Sequence, residues 1–145
     1  MTLKNTDNSA LIKIKNIQSA DGDEQATELI TEGKFYKKDD KFYIFYQEEE
    51  SNETSACTVM ITIDKDTVSV SRKGDFGSKM NYCQGKSEDI LYHTPYGTMN
   101  FGLRTIKLEN NITESGGSLN ITYNLSIDSE VIGNDLTVTV KVRKE

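Results

Sequence analysis

Arg72 and Glu48 are the two side chains of this chain best placed to do chemistry. Arg72 continues the parity of Val68 and Val70, and Glu48 continues that of Phe42, Ile44 and Tyr46. A strand turns alternate side chains to opposite faces, so each charge extends a row of apolar residues expected to face inward. Between these rows runs a third, with inward parity Cys57, Val59, Ile61 and Ile63, and the two charges converge across the small Cys57. Two strand spacings are roughly 10 Å, which an arginine spans. Such a pair either plugs the end of a barrel as an ion pair or anchors a ligand at its mouth. Tyr92 and His93 close a later strand at the same end. Glu48, Arg72, Tyr92 and His93 are therefore the candidate ligand-binding residues.

Other motifs carry less. His93 is the only histidine and cannot build a metal site with two separated cysteines. It supports no Ser-His-Asp arrangement, though it can titrate near neutral pH. Asp64-x-Asp66 lacks the third acidic position and the glycine of a calcium loop. Asp75-Phe76-Gly77 has no kinase context, and no helix follows Gly74 and Gly77 to bind phosphate. The aromatics lack the interleaved Lys and Arg of a base-stacking surface, so they read as core. No catalytic residues, cofactor or metal are expected; the enzyme question leans to no.

The elements that must position these residues are strands. Leu119, Ile121, Tyr123, Leu125 and Ile127 alternate with polar residues, as do Leu136, Val138, Val140 and Val142. The same pattern predicts ten strands, over roughly 10–17, 25–36, 41–47, 56–63, 67–73, 76–84, 90–94, 97–110, 117–127 and 135–143. Turn chemistry such as Asp21-Gly22, Asp39-Asp40, Gly116-Gly117 and Gly133-Asn134-Asp135 separates them. Residues 23–33 compete for helix, with an N-cap candidate and a terminal Gly, but few apolar residues support a helical face. In 97–110, Met99, Phe101 and Leu103 hold one parity while Ile106 and Leu108 hold the other, which predicts a β-bulge. The third strand is apolar on both parities, because Tyr43 and Phe45 join Phe42 and Ile44.

Short links predict antiparallel neighbours, and closing the meander removes its two unprotected edges. The expected fold is all-β: a closed or nearly closed antiparallel up-and-down barrel of about ten strands, with a two-sheet sandwich as the alternative. Residues 1–9 are expected to fray and 10–145 to form one domain. Successive turns of a meander fall at alternate ends. Asp21, Asp23, Glu24, Glu48, Glu49, Glu50, Glu53, Asp75, Asp128 and Glu130 then gather at one end, against only Arg72 and Lys73. That makes one mouth strongly acidic, either as solvated loops or as a rim selecting cationic ligands.

Bulk properties agree with a soluble barrel. The chain has 145 residues, 35% hydrophobic and 28% charged, with a net charge of −6. That balance gives no nucleic-acid footprint. No apolar run approaches the ~20 residues of a membrane helix, and no secretory leader is visible. The two cysteines, Cys57 and Cys83, sit within strands and suit reduced thiols in the cytoplasm.

The run Lys41-Phe-Tyr-Ile-Phe-Tyr-Gln-Glu-Glu, the run Val68-Ser-Val-Ser-Arg-Lys-Gly74, Tyr96-Gly97 before a long strand, and Leu119-Asn-Ile-Thr-Tyr-Asn-Leu125 together resemble the YwiB-like family of small bacterial proteins. The likeness spans about residues 10–142. It implies a calycin- or lipocalin-like barrel of cytoplasmic bacterial origin and supplies no functional residues. Taken together, the expected role is a non-enzymatic barrel binding a small or lipid-like ligand. The alternative is a protein-interaction or regulatory barrel with a filled interior. The oligomeric state is not readable from the residues.

Overall fold

The computed structural model describes residues 8–49, 56–73, 78–94 and 96–142. Ten strands follow in chain order: β1 Ser9–Ala20, β2 Asp23–Lys38, β3 Lys41–Glu49, β4 Ala56–Asp64, β5 Thr67–Lys73, β6 Ser78–Cys83, β7 Ser87–Thr94, β8 Gly97–Thr113, β9 Gly116–Ile127 and β10 Glu130–Val142. They form one sheet in the order β6-β5-β4-β3-β2-β1-β10-β9-β8-β7. Every described pair is antiparallel. The sequence-predicted all-β, nearly closed ten-stranded barrel is therefore the fold. The segment that competed for helix lies within β2 and pairs with β1 from Asp23 to Lys34.

The hairpin turns are encoded locally. Asp21 and Gly22, Asp39 and Asp40, and Asp128 and Ser129 all take positive φ between directly paired residues. Two consecutive positive φ values make the primed turns whose twist matches that of paired strands. Asp and Gly tolerate that conformation better than β-branched residues do.

The inward face is apolar along most of its length. Ile12, Phe35, Ile44, Val59, Ile61, Ile63, Val68, Leu103, Leu119, Ile121, Val138 and Val140 belong to one buried cluster. Outward parity on β2 and β3 is aromatic as well, which accounts for the two-sided third strand. Tyr36 stacks between Tyr43 and Phe45 with ring centroids 5.3 and 6.0 Å apart. These cross-strand rings cover one another on the outer face.

The seam lies between β6 and β7, which no ladder joins among the described residues. It is closed at one end by the β8 bulge. The register between β8 and β9 shifts between Thr105 and Lys107, and Ile106 turns outward. The bulge frees the backbone of the fully buried Thr105 to bind the β6–β7 link. Gly85 N–H donates to the Thr105 carbonyl at 2.8 Å, and Thr105 N–H donates to the Lys86 carbonyl at 3.0 Å. The Thr105 hydroxyl accepts from Cys83 N–H at 3.3 Å. Gln84 Oε1 accepts from Leu108 N–H at 2.9 Å. One residue inserted into a long strand thus supplies the fastening that a tenth ladder would otherwise provide.

Cys57, on β4, and Cys83, on β6, form no disulfide. A thiol titration of the denatured protein without reductant should find both cysteines. Finding neither would show an oxidised pair that the two separate strand positions exclude.

Candidate functional site

Strand parity carries Glu48 and Arg72 inward at the end where β3 finishes and β6 begins. Glu48 pairs with Cys57; Arg72 pairs with Val59, the next inward position of β4. The two charges therefore meet diagonally across β4, as their spacing predicted. Arg72 Nε donates to Glu48 Oε1 at 3.2 Å, and Nη2 donates to Oε2 at 3.4 Å. Their side chains remain 34% and 33% exposed, so the pair stands at an opening to solvent.

Three tyrosines surround Arg72 electrostatically. Tyr46, two residues before Glu48, is 4% exposed. Its phenol is pushed up to about 12, first by burial and then by the negative charge of Glu48, with Arg72 opposing. Tyr82 and Tyr123 meet edge to face at 4.8 Å between centroids. Burial raises both, and Arg72 opposes in each case. The Tyr82 hydroxyl also lies 3.3 Å from Met80 Sδ. For Arg72 itself burial works against the charge. The hydrogen bond and the charge of Glu48 outweigh it and hold the guanidinium above its ordinary value.

The polar series continues round the barrel. Tyr123 pairs with Asn134 across β9 and β10. Asn134 is 3% exposed, and its Oδ1 accepts from Asn16 Nδ2 and from Gln18 Nε2, each at 3.1 Å. Asn134 Nδ2 donates to the Ile132 carbonyl at 3.1 Å. Asn16 Oδ1 is buried without a hydrogen-bond partner. These amides were missed in the sequence. Asn16 continues the parity of Ile12 and Ile14, and Asn134 that of Leu136 and Val138, so the same parity argument that found Arg72 reaches them.

Tyr92 and His93 belong to β7, with backbones paired to Met99 and Thr98. Their side chains lie outside the described part of the structure. So do Glu50, Glu53 and Asp75 of the expected acidic rim. Asp21, Asp23, Glu24, Asp128 and Glu130 do sit at hairpin ends on the Glu48 side of the meander. Among the described residues, no group of three His, Cys, Asp or Glu could hold a metal ion. Among the described residues, no helix is long and apolar enough to cross a membrane.

The wall beside the mouth is interrupted. The β2–β3 ladder begins at the Lys38–Lys41 turn and stops at Lys34 and Phe45, so β2 continues toward β1 alone while Tyr46 and Glu48 stay with β4. At the point of departure a Cβ on Gly33 would collide with the Phe45 carbonyl oxygen. A cleft of about 380 Å³, lined in part by Gly33, Lys34, Phe45 and Tyr46, marks the gap.

The buried tyrosines make a pH prediction. A phenol held above its unfolded value of about 10 binds its proton more tightly when folded. Its contribution to stability is complete below pH ~10 and is lost as pH rises toward the folded value, about 12 for Tyr46. Spectrophotometric titration should show Tyr46, Tyr82 and Tyr123 resisting ionisation until alkaline unfolding begins. Reversible ionisation of all 7 tyrosines together in the ordinary range would show that the three are not buried.

The comparisons with known proteins agree with this architecture. The model of the family described as "Domain of unknown function (DUF1934)" matches residues 12–138. The uncharacterized β-barrel protein YwiB of Bacillus subtilis (strain 168) is 23% identical over 119 residues, covering 82% of each chain. A crystal structure of the ywiB protein from Bacillus subtilis superimposes with a TM-score of 0.84 at 20% identity, covering 94% of this chain and 93% of that one. With the family model spanning most of the barrel, from β1 into β10, this chain belongs to the DUF1934 family of YwiB-like β-barrel proteins.

Proposed function

We propose that the protein is a non-enzymatic, calycin-like barrel that binds a small or lipid-like ligand at the mouth holding Glu48 and Arg72. The observation carrying this reading is the partly exposed ion pair set among buried tyrosines on an inward face. A barrel end that only had to be stable would do as well with apolar side chains, because desolvating an ion pair offsets much of its attraction. Concave sites with an apolar lining and a few converging polar groups are the usual form of ligand pockets. The proposal includes a cytoplasmic setting, which the absence of a disulfide at Cys57 and Cys83 supports.

The test is the ¹⁵N signal of Arg72 Nε–H in the full-length protein. Adding the low-molecular-mass fraction of a cell extract should shift it and leave in place the signals of the opposite barrel end, where Lys37 Nζ donates to Glu114 Oε2 at 3.3 Å. A spectrum that does not change would sink the ligand reading.

An interaction or regulatory barrel is the second reading. Leu91 is exposed on the outward face of β7, opposite to its inward neighbour Ile90, and Tyr96, just ahead of β8, is almost fully exposed. Exposed apolar side chains of this kind suit a protein partner. If Leu91→Ser and Tyr96→Ser change the hydrodynamic size of the purified protein or its complexes while the Arg72 signal never responds to extract, this second reading replaces the first.

A further inference from the structure

The groups at the mouth differ in what each still lacks. Glu48 and Arg72 neutralise one another through two hydrogen bonds. Asn16 Oδ1 is a buried acceptor with no donor. Tyr46 is nearly fully buried, and among the described residues its hydroxyl has no hydrogen-bond partner. An acceptor without a donor calls for an O–H or N–H, and a phenol can give or take one bond. A buried acceptor left unmet, as Asn16 Oδ1 is, carries a desolvation cost that a bound partner removes.

The far wall has the opposite character. Toward the mouth from Tyr123, β9 carries Leu125 at the next inward position. Leu125 pairs with Leu103 on β8 and with Ile132 on β10. Phe101 on β8 pairs with Ile90 on β7. Phe101 and Leu125 are only partly buried and pack against the core, and Ile132 is half-buried. The mouth therefore has polar groups on its β3–β5 side and among its amides, and an apolar wall across β8 to β10.

We infer that the mouth takes an uncharged amphiphile bearing neighbouring hydroxyls. The hydroxyls meet Asn16, Tyr46 and the Glu48–Arg72 pair, and the hydrocarbon runs along Phe101, Leu125 and Ile132. The inference rests on the mouth being a ligand site and names the chemistry of its ligand. A carboxylate cannot donate to Asn16 Oδ1. It would also have to displace Glu48 from Arg72 and pass Asp21, Asp23, Glu24, Asp128 and Glu130 on the surrounding hairpins. An ammonium ion finds Glu48 already paired and cannot accept from Tyr46. A hydroxyl does both, and a second hydroxyl bridges carboxylate and guanidinium without breaking their bond.

The test compares three probes of one chain length below their micelle-forming concentrations: monooctanoylglycerol, octanoate and octylammonium. Binding to the full-length protein is followed by NMR of the Asn16, Gln18 and Asn134 side-chain amides and of Arg72 Nε–H. Monooctanoylglycerol should shift these signals and bind at least about ten-fold more tightly than either charged probe, a factor worth about 1.4 kcal/mol. Tyr46→Phe removes only an unpartnered hydroxyl, so it should preserve the melting temperature and weaken monooctanoylglycerol binding several-fold. If octanoate or octylammonium binds as well as the glycerol ester, the ligand chemistry is wrong while the mouth site stands. If no probe moves these signals, or if Tyr46→Phe binds like wild type, the inference is overturned. Response of Arg72 to cell extract then decides the mouth site on its own.

Discussion

Val138→Asp should destabilise the barrel by about 4 kcal/mol or more, enough to leave the protein largely unfolded on warming. Val138 is 1% exposed and Ile121, on the adjoining strand, is 0% exposed. The register sets Val138 against Leu119 and Leu136 against Ile121, so all four line the interior of β9 and β10. A carboxylate there would be shut off from solvent among apolar core side chains. Ile121→Asp should behave alike. Thermal unfolding by circular dichroism checks both, and a wild-type melting temperature for Val138→Asp would show that the inward face of β10 had been misassigned.

Gly33→Ala should cost about 1–3 kcal/mol, the range for forcing atoms and backbone apart in a packed region. The methyl group would strike the Phe45 carbonyl oxygen and crowd Ile12 Cγ1. Backbone cannot swing aside as a long side chain does, so β2 and β3 must separate where their ladder ends. Chemical denaturation measures the loss, and unchanged stability would mean that the close approach relaxes freely. Because Tyr46 follows Phe45 directly, amide exchange near the mouth should also quicken in the variant.

The architecture was legible because the alternation of Val68-x-Val70, Ile121-x-Tyr123 and Val138-x-Val140 encodes both strand and inward face. The bulge was legible for the same reason, since Leu103 and Leu108 cannot share parity without an extra residue. What the bulge does was not legible. The hold of Thr105 on Cys83, Gly85 and Lys86 joins segments that no local pattern links. The Glu48–Arg72 pair was found because a charge at the end of an apolar row must have a partner. Asn16, Gln18 and Asn134 obey the same parity but were overlooked as ordinary turn-proximal polar residues. Strand ends were drawn too short at Ala20 and Asp23, because β1 and β2 run beyond the buried rows with both faces wet, and Gly133-Asn134-Asp135, read as a turn, pairs with β9 inside β10. Where no face is buried, periodicity carries no signal.

The measurement that bears most directly on the mouth site is native mass spectrometry of freshly purified protein beside its Arg72→Met variant. The side chain of Met keeps the apolar stem of Arg and removes the guanidinium. The account predicts a small-molecule mass retained by the wild-type protein and absent, or sharply reduced, in Arg72→Met, with both proteins folded. A wild-type spectrum with the bare chain mass alone, or an adduct that Arg72→Met retains equally, would contradict it.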